Sequence, residues 1–121
     1  MLYSITEELR LMKIMIVDDN AGMREMIRDV ACKENDIVME CSDGAEAVSA
    51  FSQFQPDVVL MDIEMKGMDG FSAAEEIREM NPSMKIIFIT SHNTSAFRLK
   101  AKSLKAGFVT KENLSELIQL L

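Results

Sequence analysis

Two adjacent acids, Asp18 and Asp19, and a third, Asp62, each follow a short apolar run; a hydroxyl, Thr90, and an ammonium, Lys111, stand in the same position after two others. The runs are Ile14-Met15-Ile16-Val17, Val58-Val59-Leu60-Met61, Ile86-Ile87-Phe88-Ile89 and Phe108-Val109. Three carboxylates in one place repel each other unless a cation joins them. Such a set needs a divalent metal, and a hard cation with oxygen ligands suits it. A metal beside an ammonium and a hydroxyl invites a phosphoryl group. The five side chains converge only if the runs are parallel strands of one sheet, whose C-terminal ends share an edge where ligands bind.

The intervening segments support that sheet. Lys13–Val17 reads as a first strand and Ala21–Lys33 as a helix, with Met23, Ile27 and Val30 on one face. Asp36–Cys41 is a less apolar strand suited to an edge. Gly44–Phe54 is helical through Ala47, Val48, Phe51 and Phe54, and Pro56 ends it. Val58–Met61 and Ile86–Ile89 lack alternation, as strands buried on both faces do. Between them, Asp69 can cap a helix over Phe71–Met80 that Asn81-Pro82 stops. Thr94–Leu104 is a basic helix with Phe97, Ala101 and Leu104 inward, ended by Gly107 as a left-handed cap before the strand Phe108–Thr110. Asn113 then caps a last helix with Leu114, Leu117, Ile118 and Leu121 on its apolar face. Strands alternating with helices in this way make a doubly wound α/β fold with one parallel sheet.

Composition narrows the function. A chain of 121 residues with 48% hydrophobic residues is enough for one domain and one core. No apolar run approaches the roughly 20 residues that span a bilayer, so no membrane role is expected and the cytosol is the default location. The net charge of -7 argues against general nucleic-acid binding. The charge is uneven: from Asn93 to Lys111 the cations Arg98, Lys100, Lys102, Lys105 and Lys111 meet no acid, leaving -12 for the rest. That stretch is either a solvated helix face or a docking surface for an acidic partner, and both readings stand. Cys32 and Cys41 lie in apolar segments and are expected to be buried, reduced thiols. With the single His92 they match no familiar zinc spacing.

Residues 1–12 form an extension before the domain at 13–121. Ser4-Ile5-Thr6-Glu7 has the form of a capping box, and Leu2, Ile5, Leu9 and Met12 share a helical face. A short amphipathic, non-catalytic helix that packs on the domain or on a partner is one reading. A dispensable segment upstream of a natural start at Met12 is the other.

The motifs taken together resemble the response-regulator receiver domain. Val17-Asp18-Asp19-Asn20 with Arg24, Met61-Asp62-Ile63-Glu64-Met65-Lys66-Gly67-Met68-Asp69-Gly70, Ile89-Thr90-Ser91 and Ala106-Gly107-Phe108-Val109-Thr110-Lys111 follow that family's order over nearly the whole chain. The resemblance implies a flavodoxin-like sheet of five parallel strands in the order 2-1-3-4-5, with helices on both faces. It implies that Asp62 accepts a phosphoryl group from a phosphohistidine donor. Asp18, Asp19, Asp62 and the backbone carbonyl of Glu64 would then hold Mg2+. Lys111 would hold a phosphoryl oxygen as a point charge, and Thr90 would donate its hydroxyl to another. Such a protein is a self-phosphorylating and self-dephosphorylating signalling switch, not an enzyme on a separate substrate. Its partners would be a sensor histidine kinase or a phosphotransfer protein, and a downstream target reached through residues 93–121. Dimerisation on phosphorylation is left open. The chain is expected to act by binding a partner, relaying phosphate or draining it from a kinase; a piece of a longer regulator is the other reading.

Five further residues carry expectations. Glu64 and His92 flank the site, either tuning the lifetime of the phosphorylated form or facing solvent without effect. Phe108 is either a core aromatic or one that turns inward on activation. Lys66 and Glu112 replace prolines that the family often has, so a trans peptide is expected at Lys111-Glu112. Three rivals remain: a phosphorylation-independent binding module, a haloacid-dehalogenase-like phosphatase, and a flavin-binding domain. The second leaves Asp18-Asp19 unexplained, and the third lacks a phosphate loop after Val17.

Overall fold

Strand β1 (Lys13–Val17) is the second member of its sheet, and its neighbours decide where every acid falls. The computed structural model describes residues 11–121. The elements in order are β1, α1 (Ala21–Ala31), β2 (Ile37–Cys41), α2 (Gly44–Phe54), β3 (Val58–Met61), α3 (Gly70–Met80), β4 (Ile86–Thr90), α4 (Ser95–Ser103) and β5 (Gly107–Thr110). A 3-10 segment at Lys111–Glu116 leads into α5 (Leu117–Leu120). The five strands are parallel in the order β2-β1-β3-β4-β5, the expected doubly wound arrangement.

Burial follows the sequence pattern. Every residue of β3 and β4 is buried, whereas Ile37 and Glu40 of β2 are exposed, as an edge strand requires. One core layer gathers Met15, Val17, Phe51, Met61, Ile77 and Phe88 beneath α2, α3 and α4. Phe71 joins it with its ring edge-on to Phe88 at 4.9 Å and to Phe97 at 5.5 Å. The opposite layer gathers Ile14, Ile16, Ile27, Leu60, Ile89 and Leu117 beneath α1 and α5. Helix starts follow their caps: Asn20, Asp43, Asp69 and Thr94 each accept a hydrogen bond from the backbone N–H three residues on.

Three local expectations fail. Gly107 is not the left-handed cap of α4. Lys105 fills that position at φ 53°, and the bonds Ala106 N–H to Ala101 O and Lys105 N–H to Lys102 O close a Schellman motif one residue pair earlier. Arg78 makes the strained lysine tolerable by donating to the carbonyls of Leu104, Lys105 and Met84. Gly107 instead opens β5, where a Cβ would press within 3.2 Å of Ile87 on β4. Asn113 is not a helix cap: it lies at φ -125° and donates through Nδ2 to Thr110 Oγ1 at 3.2 Å. The 3-10 turns that replace the first part of the helix align residues three apart. Leu114 and Leu117 are therefore buried together, while Ile118 is turned outward and 65% exposed.

Met12 is the third correction. Its N–H donates to Asp36 Oδ1 at 3.1 Å and its carbonyl accepts from Ile37 N–H at 2.8 Å. The residue therefore runs extended beside β2 and is not part of a helical stripe. The remaining residues assigned to the extension, 1–10, lie outside the described residues. Both cysteines are free; Cys41 is buried but Cys32 is only half-buried, at the end of α1. Burial and the acids Glu46 and Asp43 push the Cys41 thiol up to about 11, so it is an inert core residue. No peptide bond is cis among the described residues, Lys111-Glu112 included.

Gly70 is where the fold leaves least room. It starts α3, and a Cβ there would lie 2.0 Å from the carbonyl oxygen of Asp62. Its own N–H donates to Ile63 O at 2.8 Å, drawing the helix against the strand end. Gly70→Ala should destabilise the protein by about 1–3 kcal/mol or more through overpacking against rigid backbone. Urea denaturation checks this; an unchanged midpoint would show that the loop after β3 can yield.

Candidate functional site

Parallel pairing in register brings the predicted residues to one edge. Val17 lies opposite Met61, and Thr90 opposite Thr110. Asp18 and Asp62 are thus the next residues on adjacent central strands, and Lys111 follows the end of β5. Backbone bonds fix both acids: Asp18 N–H donates to Cys41 O at 3.1 Å, and Asp62 N–H to Val17 O at 2.8 Å. Asp18 is fully buried, Asp62 is 4% exposed and Thr90 1%. Asp19 is exposed at the lip. One carboxylate oxygen from each of Asp18, Asp19 and Asp62 lies within 4.8 Å of the other two.

The charges in this pocket do not balance. Lys111 Nζ sits 3.0 Å from Asp18 Oδ2 and 3.4 Å from Asp62 Oδ2. Burial lowers the lysine's proton affinity, but its contact with Asp18 and the two acid charges outweigh that and leave it above its ordinary range. One ammonium thus serves two buried carboxylates with a third beside them. Burial first, and the Asp18 charge second, push the Asp62 carboxyl up to about 6 against the pull of Lys111. The Oδ1 atoms are satisfied, Asp18 by Asn20 N–H and Asp62 by Ile63 N–H, both at 2.9 Å. Asp18 Oδ2 is buried and has no aligned hydrogen-bond donor among the described residues; the Lys111 contact there is a charge contact. A buried, under-satisfied carboxylate oxygen facing two other carboxylates is what a bound divalent cation would complete.

The remaining expected residues sit at the rim. Thr90 holds its hydroxyl toward its own loop, where Oγ1 accepts from His92 N–H at 3.1 Å. Glu64 and His92 are half or more exposed, and the His92 Nδ1 meets Glu64 Oε1, so these two pair with each other at the rim. Lys66 is exposed. Phe108 is half-buried against the core layer, with the guanidinium of Arg98 over its ring at 4.6 Å. Arg98 also bonds Asn93 in the loop after β4.

Two residues that the sequence motifs contain have roles that only the fold reveals. Arg24 Nη1 donates to the backbone carbonyl of Asp18 at 2.7 Å, and its Nε pairs with Glu40 on β2 at 2.9 Å. Its place four residues after Asn20, in the first turn of α1, was the available signal. Gly70, packed on the Asp62 carbonyl, had a signal only as one more turn glycine.

The response regulator receiver domain model matches residues 14–121. This chain belongs to that family. It is 38% identical over 96 residues to the chemotaxis protein CheY of Thermotoga maritima, covering 78% of each chain. It is 36% identical over 100 residues to CheY of Halobacterium salinarum, covering 82% of this chain and 83% of that one. Among solved structures, a LuxR-family two-component response regulator from Aurantimonas sp. SI85-9A1 superposes with a TM-score of 0.82 at 35% identity, covering 91% of this chain and 81% of that one. The receiver domain is thus a homologue of CheY with the flavodoxin-like fold. These comparisons lend no support to the phosphatase or binding-only rivals; receiver domains bind Mg2+ at an acidic pocket, and this chain has the acidic cluster Asp18, Asp19 and Asp62. Among the described residues no helix is long and apolar enough to cross a membrane.

The Asp62 environment predicts a pH-dependent stability. In the metal-free fold Asp62 holds its proton more tightly than in the unfolded chain, so stability falls as pH rises from about 4 to about 6 and stays lower above it. Asp62→Asn removes that cost. Without metal, the variant should be more stable than the parent at pH 7 by about 1–3 kcal/mol, and equal to it below pH 4. Urea melts in chelator at the two pH values test this, and a gain that ignores pH would contradict the assigned cause.

Proposed function

We propose that this receiver accepts a phosphoryl group on Asp62 and thereby switches what it binds. The observation that carries the reading is Asp62 itself. It is a buried carboxylate at the C-terminal edge of β3, fixed by Ile63 N–H through Oδ1 and facing Lys111 and two further acids through Oδ2. Such an oxygen is a nucleophile held in one direction.

Mg2+ would be held by Asp18, Asp19 and Asp62, with the Glu64 carbonyl as a further ligand. When bound, the ion neutralises the acids and the charge on an incoming phosphoryl group. The chain's own residues do the rest. An Asp62 oxygen attacks phosphorus in line, the phosphorus–nitrogen bond of a phosphohistidine breaks, and the imidazole leaves and takes up a proton. Lys111, released from sharing two carboxylates, holds a phosphoryl oxygen. Thr90 turns its hydroxyl from the His92 amide toward another. Arg24 keeps the Asp18 backbone in place throughout. Attack of water on the acyl phosphate restores the resting state, and the exposed Glu64–His92 pair at the rim governs that water's access.

The output is a shift between two populations of the β4–α4 and β5 region. Arg98 bonds Asn93 in the loop after β4 and covers the Phe108 ring, so one set of contacts runs from that loop through α4 to β5. Residues 93–121, with the exposed α4 cations Arg98, Lys100 and Lys102, form the surface we assign to a downstream protein. The phosphodonor is a sensor histidine kinase or phosphotransfer protein, and the cytoplasm is the compartment where both would meet it.

Intact-protein mass after incubation with phosphoramidate and Mg2+ tests the acceptor directly. A gain of one phosphate is expected, lost with chelator and lost in Asp62→Asn. Lys111→Ala should slow the gain by about a hundredfold, the loss of one preorganised charge contact. A gain that survives Asp62→Asn would place the acceptor elsewhere.

A further inference from the structure

Asp18 is held on both sides of its backbone by consecutive residues of the edge strand β2. Pairing in register sets Glu40 opposite Ile16 and Cys41 opposite Val17, just before the chain enters the acid pocket. The Cys41 carbonyl accepts from Asp18 N–H at 3.1 Å. The Asp18 carbonyl accepts from Arg24 Nη1 at 2.7 Å, and Arg24 Nε donates to Glu40 Oε1 at 2.9 Å. Arg28 Nη1 donates to the other oxygen of that carboxylate, Oε2, at 3.0 Å.

This arrangement makes Glu40 more than a surface charge. A guanidinium is a rigid planar fork, so a partner on Nε fixes the direction in which Nη1 points. The Arg24 side chain is 17% exposed and that of Glu40 32%, which sets the pair apart from a freely solvated one. With its second oxygen on Arg28, the Glu40 carboxylate cannot swing away from Nε without disturbing both contacts. The carbonyl that Arg24 reaches belongs to the peptide joining Asp18 to Asp19. Rotation of that peptide would move Asp19, exposed at the lip, relative to the buried Asp18 carboxylate. The convergence of the three acids within 4.8 Å therefore depends on how this peptide is held.

We propose that Glu40 is a positioning residue for the ion pocket: acting through Arg24, it fixes the Asp18–Asp19 peptide and so sets the affinity for a divalent cation. The edge strand then serves the site from outside, with Glu40 touching neither the ion nor the phosphoryl group. The inference rests on the reading of Asp18 and Asp19 as acids that hold Mg2+, and on no step of the phosphoryl chemistry.

Titration with Mg2+ alone, followed through the backbone amide NMR shifts, tests it without phosphoryl transfer. Arg24→Gln should weaken Mg2+ binding by about tenfold, the low end for a group that orients a metal ligand from behind. Glu40→Gln should weaken it by about threefold, a part of that effect, because Arg24 keeps its bond to the carbonyl. The sign of the Arg24 effect separates positioning from the field of the charges. Removing a cation beside an acidic pocket would by itself strengthen Mg2+ binding. Tighter or unchanged binding in Arg24→Gln would therefore overturn the proposal. Arg24→Lys keeps the charge but not the planar fork; it should also weaken binding, and it takes the place of Arg24→Gln if that variant does not fold. In the Arg24→Gln background, Glu40→Gln should cost little more, and an undiminished loss there would overturn the proposal by assigning the effect to the acid's own charge. With phosphoramidate as donor, the Mg2+ concentration that half-saturates phosphate gain should rise in Glu40→Gln by the same factor as the dissociation constant. An unchanged half-saturation with a lower maximum rate would count against positioning. A parent chain that binds no Mg2+ would overturn the ion reading itself, whereas a parent and variants that bind it equally would overturn this proposal alone.

Discussion

Everything at the working edge of this protein follows from confining acids where water cannot reach them. Asp18 and Asp62 sit side by side at the ends of the two central strands, and one ammonium is shared between them. Burying like charges is expensive, and the cost falls only when a partner of opposite sign is present. The resting pocket is therefore poised: it accommodates Lys111, leaves one oxygen of Asp18 under-bonded and holds Asp62 partly toward its neutral form. Each of these is relieved by added positive charge. The electrostatic cost of confining these acids and their affinity for cations are the same physical quantity.

The rest of the molecule holds that confinement in place. Two apolar layers clamp the sheet, so the strand ends cannot drift apart to separate the acids. Gly70 lets α3 press on the Asp62 carbonyl, and Arg24 ties the Asp18 carbonyl to the outer strand through Glu40. Interiors packed in this way respond to a local change by moving between discrete arrangements, not by deforming smoothly. The contacts from Asn93 through Arg98 to Phe108 are where such a rearrangement has room, because Arg98 and Asn93 are exposed and Phe108 is half-buried.

The strand ends were legible in the sequence because parallel topology converts a pattern of apolar runs into a common edge. Asp18, Asp62, Thr90 and Lys111 needed only strand boundaries to be placed, and strands buried on both faces have sharp ones. Helix bodies were legible for a similar reason. Terminal geometry was not. Lys105 in a left-handed conformation depends on Arg78, which reaches it from another helix, and no local signal announces that. The last helix was misread because a period of three and a period of 3.6 share their first repeat, Leu114 to Leu117, and part company only at Ile118. Arg24 has no role legible in its local sequence, since its partners lie on β2 and in the Asp18 backbone.

Glu40, which pairs with Arg24 and Arg28 of α1, also sits on the outermost strand of the sheet. An open strand edge presents unpaired backbone groups to any other chain, and sheets in solution are at risk of growing by adding a foreign strand there. On β2 an incoming strand would have to strip water from Glu40 and from two arginines that lean over it from α1. The same glutamate that steadies the acid loop thus guards the sheet against polymerising, and loss of Glu40 would weaken both protections at once.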